Sequence, residues 1–376
     1  MSDEKSQETA DPAQRLFSLD ALRGFEMFWI IGGSGFVLAL ANLLDVDDFW
    51  LRELSIQLTH VQWEGFHFYD LIFPLFIFLA GMAVPYSILA KLDNGVSAWR
   101  LQVKILIRSM VLILIGLSFS ALSFQPDHIR FYNVLWLIGM SYLIGASITL
   151  HVESWQIRLV IFVTVLVFYH LILMYLPYPG KGQQMTQENN LAAWLDRNLI
   201  STALYRENYD PEGSIRILPA GMLCLLGALT GEWVRGYGRA RLRCGLELIA
   251  AGLLCLGLGW LWSQLIPIVK DIWSPSFILC SAGWSFLCFA AFYITMDVAR
   301  QRWLGWFFIP IGMNAILIYA SQWYVPWKNI RDFVFRGLAR SQSDTDVQQL
   351  ILLGGLVLVQ WLVLYWLYRK KAFLSV

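Results

Sequence analysis

Two histidines and two carboxylates are concentrated in the segment from His60 to Asp70. On a continuous helix, His60, Glu64 and His67 would share one face, and His67 would meet Asp70 three residues further on. His60 would then lie about 15 Å from Asp70 along the helix axis. A direct His60–Asp70 pair therefore requires a break in the helix, for which Gly65 is the natural position.

These residue types suit acid–base chemistry at a carbonyl group. A neutral imidazole can accept a proton from an amine or hydroxyl as it attacks a carbonyl, and it can also carry an acyl group transiently. A neighbouring carboxylate would fix the tautomer of the ring. The alternative interpretation is that these side chains, with Trp63, anchor the chain at a membrane interface. The residues alone do not separate His60 from His67.

Basic residues near the first and third apolar stretches form a second candidate site. Arg23 lies between Asp20 and Glu26 at the start of the first stretch, where it either forms a structural ion pair with Asp20 or binds a ligand. Arg100, Lys104 and Arg108 recur every four residues and form one basic stripe. Such a stripe either anchors a helix at the membrane surface or binds a polyanion such as the phosphates of coenzyme A.

Other polar residues stand out for their positions. Asp210 and Glu212 precede an apolar stretch, where they either bind a cationic amine or form an acidic turn. Lys270 precedes a later stretch. Asn314 lies within an apolar one, where its amide needs partners, either another helix or a ligand. The glycines from Gly32 to Gly35 allow close packing or a local break in a membrane helix.

The elements that position these residues follow from the composition. The chain has 376 residues, of which 57% are hydrophobic and 15% charged, with a formal net charge of +1. This balance excludes a soluble domain, a nucleic-acid-binding protein and a disordered chain. It predicts an all-α polytopic integral membrane protein. Ten apolar runs long enough to span a membrane lie at about 18–41, 68–90, 103–123, 132–150, 157–176, 215–234, 245–268, 276–297, 304–324 and 349–368.

The distribution of lysine and arginine predicts that both termini are cytoplasmic. With the N-terminus inside, long outer connections occupy about 42–67, 177–214 and 325–348. Residues 1–15 are expected to be a disordered cytoplasmic tail, 16–371 the transmembrane domain, and 372–376 a short cytoplasmic tail. The five cysteines form no C-x-x-C pair, and no metal site is predicted.

Several motifs in order resemble the heparan-α-glucosaminide N-acetyltransferase family and its bacterial relatives, from about Leu16 to Tyr319. The motifs are Ser18-Leu19-Asp20-Ala21-Leu22-Arg23-Gly24-Phe25, His60-x-x-Trp63-x-Gly65, Asp70-Leu71-Ile72-Phe73-Pro74, Asp210-Pro211-Glu212-Gly213, Trp273-x-x-Ser276-Phe277 and Gly312-Met313-Asn314-Ala315. The resemblance implies that cytosolic acetyl-CoA delivers its acetyl group to a glucosamine amine beyond the membrane. It also implies that His60 is catalytic, as general base or acyl carrier.

On this basis we assign roles to the candidate residues. Asp70 is expected to support either the His60 imidazole or the start of the following helix. The residues expected to bind acetyl-CoA are Arg23, Gly33, Ser34, Arg100, Lys104 and Arg108. The residues expected to bind the amino-sugar acceptor are Glu64, His67, Asp210, Glu212, Lys270 and Asn314. The resemblance further implies a homodimer surrounded by membrane lipid, and we expect a bacterial cytoplasmic (inner) membrane protein with no luminal N-terminal domain.

Two departures from the family pattern bear on substrate choice. The lysosomal enzymes have an asparagine in the first span where this chain offers Gly33 or Ser34, and the segment Asn133–Ile138 lacks the Gln-Arg pair of many relatives. The alternative function is a proton-coupled sugar or amino-sugar permease, because intramembrane histidines and carboxylates serve proton coupling equally well. A third interpretation is a relative that binds these ligands without catalysis.

Overall fold

The apolar runs form long helices in the computed structural model, which describes residues 16–121, 130–179, 185–199, 203–206 and 208–374. Within these residues, nine helices are long and apolar enough to cross a membrane. They are Phe17–Leu43, Phe68–Asp93, Ala98–Phe119, Val134–His151, Trp155–Tyr175, Ser214–Gly236, Leu242–Ser263, Pro275–Val298 and Thr345–Arg369. The predicted all-helical, polytopic membrane architecture is confirmed. The tail predicted over residues 1–15 lies outside the described residues.

Sixteen α-helices follow one another along the described chain. They are α1 Phe17–Phe28, α2 Ser34–Leu43, α3 Asp48–Gln57, α4 Phe68–Met82, α5 Ala90–Asp93, α6 Ala98–Ala121, α7 Val134–His151, α8 Trp155–Tyr175, α9 Leu191–Leu199, α10 Ile217–Gly236, α11 Leu242–Ser263, α12 Pro275–Phe292, α13 Trp303–Gly312, α14 Ala315–Tyr324, α15 Trp327–Arg340 and α16 Thr345–Arg369. Wider π-helical turns join α1 to α2 at Trp29–Gly33, α4 to α5 at Pro85–Leu89, and extend α12 over Tyr293–Val298.

Helices α4, α10 and α12 form the centre of the bundle, and small residues let two of them approach closely. A side chain at Gly81 of α4 would collide with the carbonyl of Cys224 on α10, and one at Gly227 would collide with the carbonyl of Phe78. Because helices in lipid associate through packing at small residues, these glycines hold α4 in place. Helix α4 carries Asp70 at its first turn.

The apolar run predicted at 304–324 is present as two short helices rather than one continuous span. Helix α13 ends at Gly312 and α14 begins at Ala315, with Met313 and Asn314 between them. Pro310 cannot donate a backbone hydrogen bond within α13. The buried side chain of Asn314 donates from Nδ2 to the carbonyl of Ala372 and accepts from the amide of Leu374. These bonds attach the C-terminal segment to the break.

The three long connections contain helices of their own: α3 within 42–67, α9 within 177–214, and α15 within 325–348. The basic connections gather at the opposite end of the bundle from His60. At that end Arg235 pairs with Asp93 at 2.8 Å, and Arg302 lies over the ring of Phe17 at 4.0 Å. We call this the basic end.

Candidate active site

The chain between α3 and α4 turns back over the first turn of α4. Gly65 has a φ of +126°, in the left-handed region that favours glycine, and its amide donates to the carbonyl of Ile268 at 2.9 Å. Glu64 forms a single antiparallel bridge with Val269 beside this bond. The break that a His60–Asp70 pair requires is therefore present between α3 and α4, and the turn at Gly65 brings His60 beside the beginning of α4.

His60, Asp70 and Lys270 form a compact triangle. Nδ1 of His60 lies 2.8 Å from Oδ1 of Asp70, and Nζ of Lys270 lies 2.8 Å from the same nitrogen and 3.1 Å from the same carboxylate oxygen. When Nδ1 carries the proton and donates it to Asp70, Lys270 donates to the shared oxygen and Nε2 is left as a proton acceptor. The arrangement can therefore present a basic nitrogen to a substrate.

Asp70 is held rigidly while His60 remains accessible. The Asp70 side chain is fully buried, and its Oδ2 accepts hydrogen bonds from the amides of Val61 at 3.2 Å and His67 at 3.1 Å. The His60 side chain is 53% exposed and stacks obliquely on Tyr69, with ring centroids 4.8 Å apart. Such a fixed carboxylate orients a reactive ring without excluding its substrate.

The structure separates the two histidines that the residue pattern could not. Nδ1 of His67 donates to the carbonyl of Thr59 at 2.9 Å when it carries the proton, so His67 supports the turn. Glu64 is exposed and contributes its backbone to the bridge with Val269. Neither side chain lines the cavities described below, whereas His60 lines two of them.

The first cavity, which we call the loop cavity, has a volume of about 590 Å³ and lies between His60 and the connection before α10. Its walls include Lys270, Glu212 and the aromatic rings of Tyr205 and Tyr209. Tyr209 donates to Oδ2 of Asp271 at 2.7 Å. A volume of this size, with carboxylates and aromatic rings, suits a polar ring-shaped ligand that carries a positive charge.

Glu212 lines the loop cavity, and a shared arginine joins it to Asp210, which is not among the wall residues of that cavity. Arg130 donates to both oxygens of the buried Asp210, at 2.6 and 2.7 Å, and pairs with Glu212 as well. Burial is the main cause that raises the pKa of Glu212, to about 7. The positive charge of Arg130 opposes this shift, and the negative charge of Asp210 adds to it. Glu212 thus lies at the wall with a proton that is easily gained or lost.

Two further cavities continue from His60 toward the basic end. The central cavity, about 200 Å³, shares His60, Glu212 and Lys270 with the loop cavity and has mostly apolar walls. The basic cavity, about 390 Å³, is lined by Arg23 and Arg108. The central and basic cavities share three wall residues, Phe76, Ile138 and Ile316. The three cavities therefore follow one another along the bundle, with His60 at the junction of the first two.

The residues expected to bind acetyl-CoA are divided by the structure. Arg108 lines the basic cavity, with its guanidinium 4.5 Å from the ring centre of Tyr142, whereas Arg100 and Lys104 are exposed and line none of the three cavities. Gly33 is buried in the π-helical turn and Ser34 lies beside Tyr69. Asn314, which was expected to bind the acceptor, hydrogen-bonds the C-terminal segment, whose residues Phe373 and Leu374 line the basic cavity.

Several site residues were missed by sequence reasoning because their partners are distant in the chain. Arg130 pairs with Asp210 across 80 residues, and Asp271 binds Tyr209 across 62. A signal for Arg130 existed, since it is an arginine in a connection that the charge pattern assigns to the outer face. Within the described chain, no group of three or more His, Cys, Asp or Glu side chains could hold a metal ion.

The residues that match known proteins include most of this site. A family model described as heparan-alpha-glucosaminide N-acetyltransferase, catalytic, matches residues 15–261. The chain is 27% identical to the heparan-alpha-glucosaminide N-acetyltransferases of Homo sapiens and Mus musculus, over 84% of its length in each case. These alignments cover 55% of the human protein and 56% of the mouse protein, so the chain spans about half the length of these curated relatives. Lys270 lies beyond the residues that the family model matches.

Proposed function

The chain belongs to the heparan-alpha-glucosaminide N-acetyltransferase family, and on that premise we propose that it transfers acetyl from acetyl-CoA to the amine of a glucosamine-type sugar. The observation that carries this proposal is the position of His60, whose ring lines both the loop cavity and the central cavity. A donor and an acceptor that enter from opposite ends of the bundle would meet at this ring.

The donor is proposed to enter from the basic end. Arg23 and Arg108 lie in the basic cavity, where their guanidinium groups suit the phosphates of coenzyme A. The apolar walls of the central cavity, among them Ile72, Phe73 and Ile138, suit the pantetheine arm. Because basic residues favour the cytosolic face, this end is proposed to face the cytosol. The bacterial cytoplasmic membrane and the homodimer stay predictions.

The acceptor is proposed to bind in the loop cavity. The carboxylates of Glu212 and Asp271 attract an ammonium group, and Tyr205 and Tyr209 offer faces on which a sugar ring can stack. Asp210 acts through Arg130 and Glu212, because it is fully buried and bonded to the arginine. The amine that reaches Nε2 of His60 would then stand beside the thioester carbonyl.

The chemical step follows from this geometry. Once the ammonium group of the sugar has lost one proton to solvent, the neutral amine nitrogen bonds to the thioester carbonyl carbon, and Nε2 of His60 takes the second proton that the nitrogen loses. The imidazolium that forms lies against Asp70, which stabilises its charge through Nδ1. The carbon–sulfur bond then breaks with its electron pair on sulfur, and the imidazolium returns a proton to give the thiol of coenzyme A. The products are the N-acetylated sugar and free coenzyme A.

The test is acetyl transfer by the purified protein in detergent, with labelled acetyl-CoA and glucosamine. We expect labelled N-acetylglucosamine from the wild type and at least a 100-fold loss in His60→Ala. The matched control is His151→Ala, because His151 contacts Gln102 at 3.1 Å and lines none of the three cavities. A folded His60→Ala variant with full activity would refute the catalytic assignment. Uptake of glucosamine into liposomes without acetylation would favour the permease instead.

A further inference from the structure

One buried acidic side chain has no part in the site described so far. Glu26 on α1 is fully buried, and among the described residues no group lies in hydrogen-bonding geometry with either oxygen of its carboxyl group. The backbone amide of Phe76 lies beside this carboxyl group. Glu26 lines the central cavity between His60 and the basic end. Its carboxyl group therefore faces a cavity with its hydrogen-bonding capacity unused.

A buried carboxyl group without hydrogen bonds destabilises the fold unless a ligand binds to it. An unsatisfied buried polar group costs about 1–3 kcal/mol, and a charged one costs more. Arg23, one helical turn away, forms no salt bridge with Glu26 among the described residues and donates instead to the carbonyl of Leu79 at 3.3 Å. The neutral carboxyl group can both donate and accept a hydrogen bond. An uncharged polar group of a ligand would therefore satisfy the hydrogen-bonding capacity of Glu26.

The position of Glu26 along the bundle axis indicates which part of the acetyl-CoA donor would lie beside it. Glu26 lies at the level of Phe76, which follows Asp70 on α4 by six residues. Six residues of helix correspond to about 9 Å. An extended arm covers about 5 Å from the thioester carbonyl to its first amide nitrogen, by the reach of a four-bond chain. A hydrogen bond of about 2.9 Å accounts for most of the remainder.

We propose that Glu26 hydrogen-bonds the amide of the pantetheine arm nearest the thioester, and so positions the donor for reaction at His60. The inference rests on the proposed acetyl-CoA donor. The central cavity offers little alternative at this level, because its other polar side chains are His60, Tyr69, Glu212, Lys270 and Tyr319. Tyr69 precedes Asp70, and Tyr319 is close enough to Glu212 to feel its charge, so these groups belong to the loop-cavity side.

The test combines two variants with two donors. Glu26→Leu removes the hydrogen bond, while Glu26→Gln keeps a donor and an acceptor in the same shape. With acetyl-CoA, we expect Glu26→Leu to raise KM about 5- to 10-fold, the loss of one hydrogen bond, with kcat within about 2-fold. Glu26→Gln is expected to stay within about 3-fold of the wild type. With S-ethyl thioacetate, which has no amide, both variants should match the wild type.

A matched control variant distinguishes the expected result from the outcomes that would overturn the proposal. Glu53→Leu is the matched control, because Glu53 lies on α3 and lines none of the three cavities. Glu26→Leu should not lower the melting temperature, since it removes an unsatisfied buried group. An unchanged KM for acetyl-CoA, or an equal loss with both donors, would overturn the proposal. A loss of kcat in Glu26→Gln would also overturn it and indicate proton transfer. If the wild type neither binds nor uses acetyl-CoA, the proposed function fails as well.

Discussion

Replacing Asp70 by asparagine tests the whole catalytic triangle with a change of one atom. Oδ2 of Asp70 faces two backbone donors, the amides of Val61 and His67, while Oδ1 faces His60 and Lys270. An asparagine that places its oxygen toward the two amides turns its NH₂ group toward His60 and loses the hydrogen bond that Oδ1 accepts from Lys270. That NH₂ donates to Nδ1 and forces the proton onto Nε2. The nitrogen that should accept the substrate proton is then blocked.

The charge that is lost sets the size of the effect. A carboxylate and an imidazolium with charge centres about 4 Å apart attract by about 4 kcal/mol at an effective dielectric constant of 20. This would correspond to about 10³-fold in rate. The His60 side chain is 53% exposed, so solvent weakens the attraction. We therefore expect kcat of Asp70→Asn to fall about 10²- to 10³-fold, with a smaller change in the KM for acetyl-CoA.

The assay is release of the coenzyme A thiol at saturating acetyl-CoA and glucosamine, with the melting temperature measured on the same preparation. Asp48→Asn is the matched control, because Asp48 is exposed in the first turn of α3 and lines none of the three cavities. A folded Asp70→Asn variant that keeps more than a third of the wild-type kcat would refute the argument that Asp70 fixes the tautomer of His60.

Three other predictions concern the ends and the turn of the site. Arg108→Gln should raise the KM for acetyl-CoA about 10-fold. In the same assay the KM for S-acetylpantetheine should not change, because that donor has no phosphates. Because burial raises the pKa of Glu212 to about 7, its carboxylate is lost as the pH falls. The value of kcat/KM for glucosamine should therefore fall below about pH 7, and Glu212→Gln should lack this part of the profile. Gly65 has a φ of +126°, which strains the backbone of any residue with a side chain, so Gly65→Ala should lower kcat at least 10-fold. Gly95→Ala, at a φ of +83° at the basic end, strains the backbone without affecting kcat.

The long helices were predictable because they depend on local sequence. A run of about 20 apolar residues has few alternatives to a membrane helix. The residues left His60 and His67 as alternative partners of Asp70, because a continuous helix would hold His60 about 15 Å from Asp70. The resemblance to the family, not the spacing, pointed to His60. The break between α13 and α14 was not predicted. It depends on Asn314 finding partners in the C-terminal segment, 58 and 60 residues away.

The rest of the site is built from contacts that one sequence does not encode locally. Lys270 was assigned to the acceptor, yet its Nζ also lies 2.8 Å from Nδ1 of His60, across 210 residues, and donates to Asp70. Arg130 and its two carboxylates meet only because α7 and α10 begin at the same end of the bundle. Likewise, the regular spacing of Arg100, Lys104 and Arg108 does not reveal which of them faces the interior. Only packing against other helices places Arg108 in a cavity.

The separation of the cavities also predicts the kinetic order of the reaction. The loop cavity and the central cavity share His60, Glu212 and Lys270, and their other wall residues differ. Donor and acceptor can therefore be bound at the same time, and direct transfer needs no departure of coenzyme A before the sugar arrives. Initial rates measured over a matrix of both substrates should give intersecting double-reciprocal lines. An acetyl group carried on Nε2 would instead give parallel lines. It would also let labelled coenzyme A exchange into acetyl-CoA without sugar. Such exchange, if abolished in His60→Ala, would make His60 an acyl carrier and contradict direct transfer.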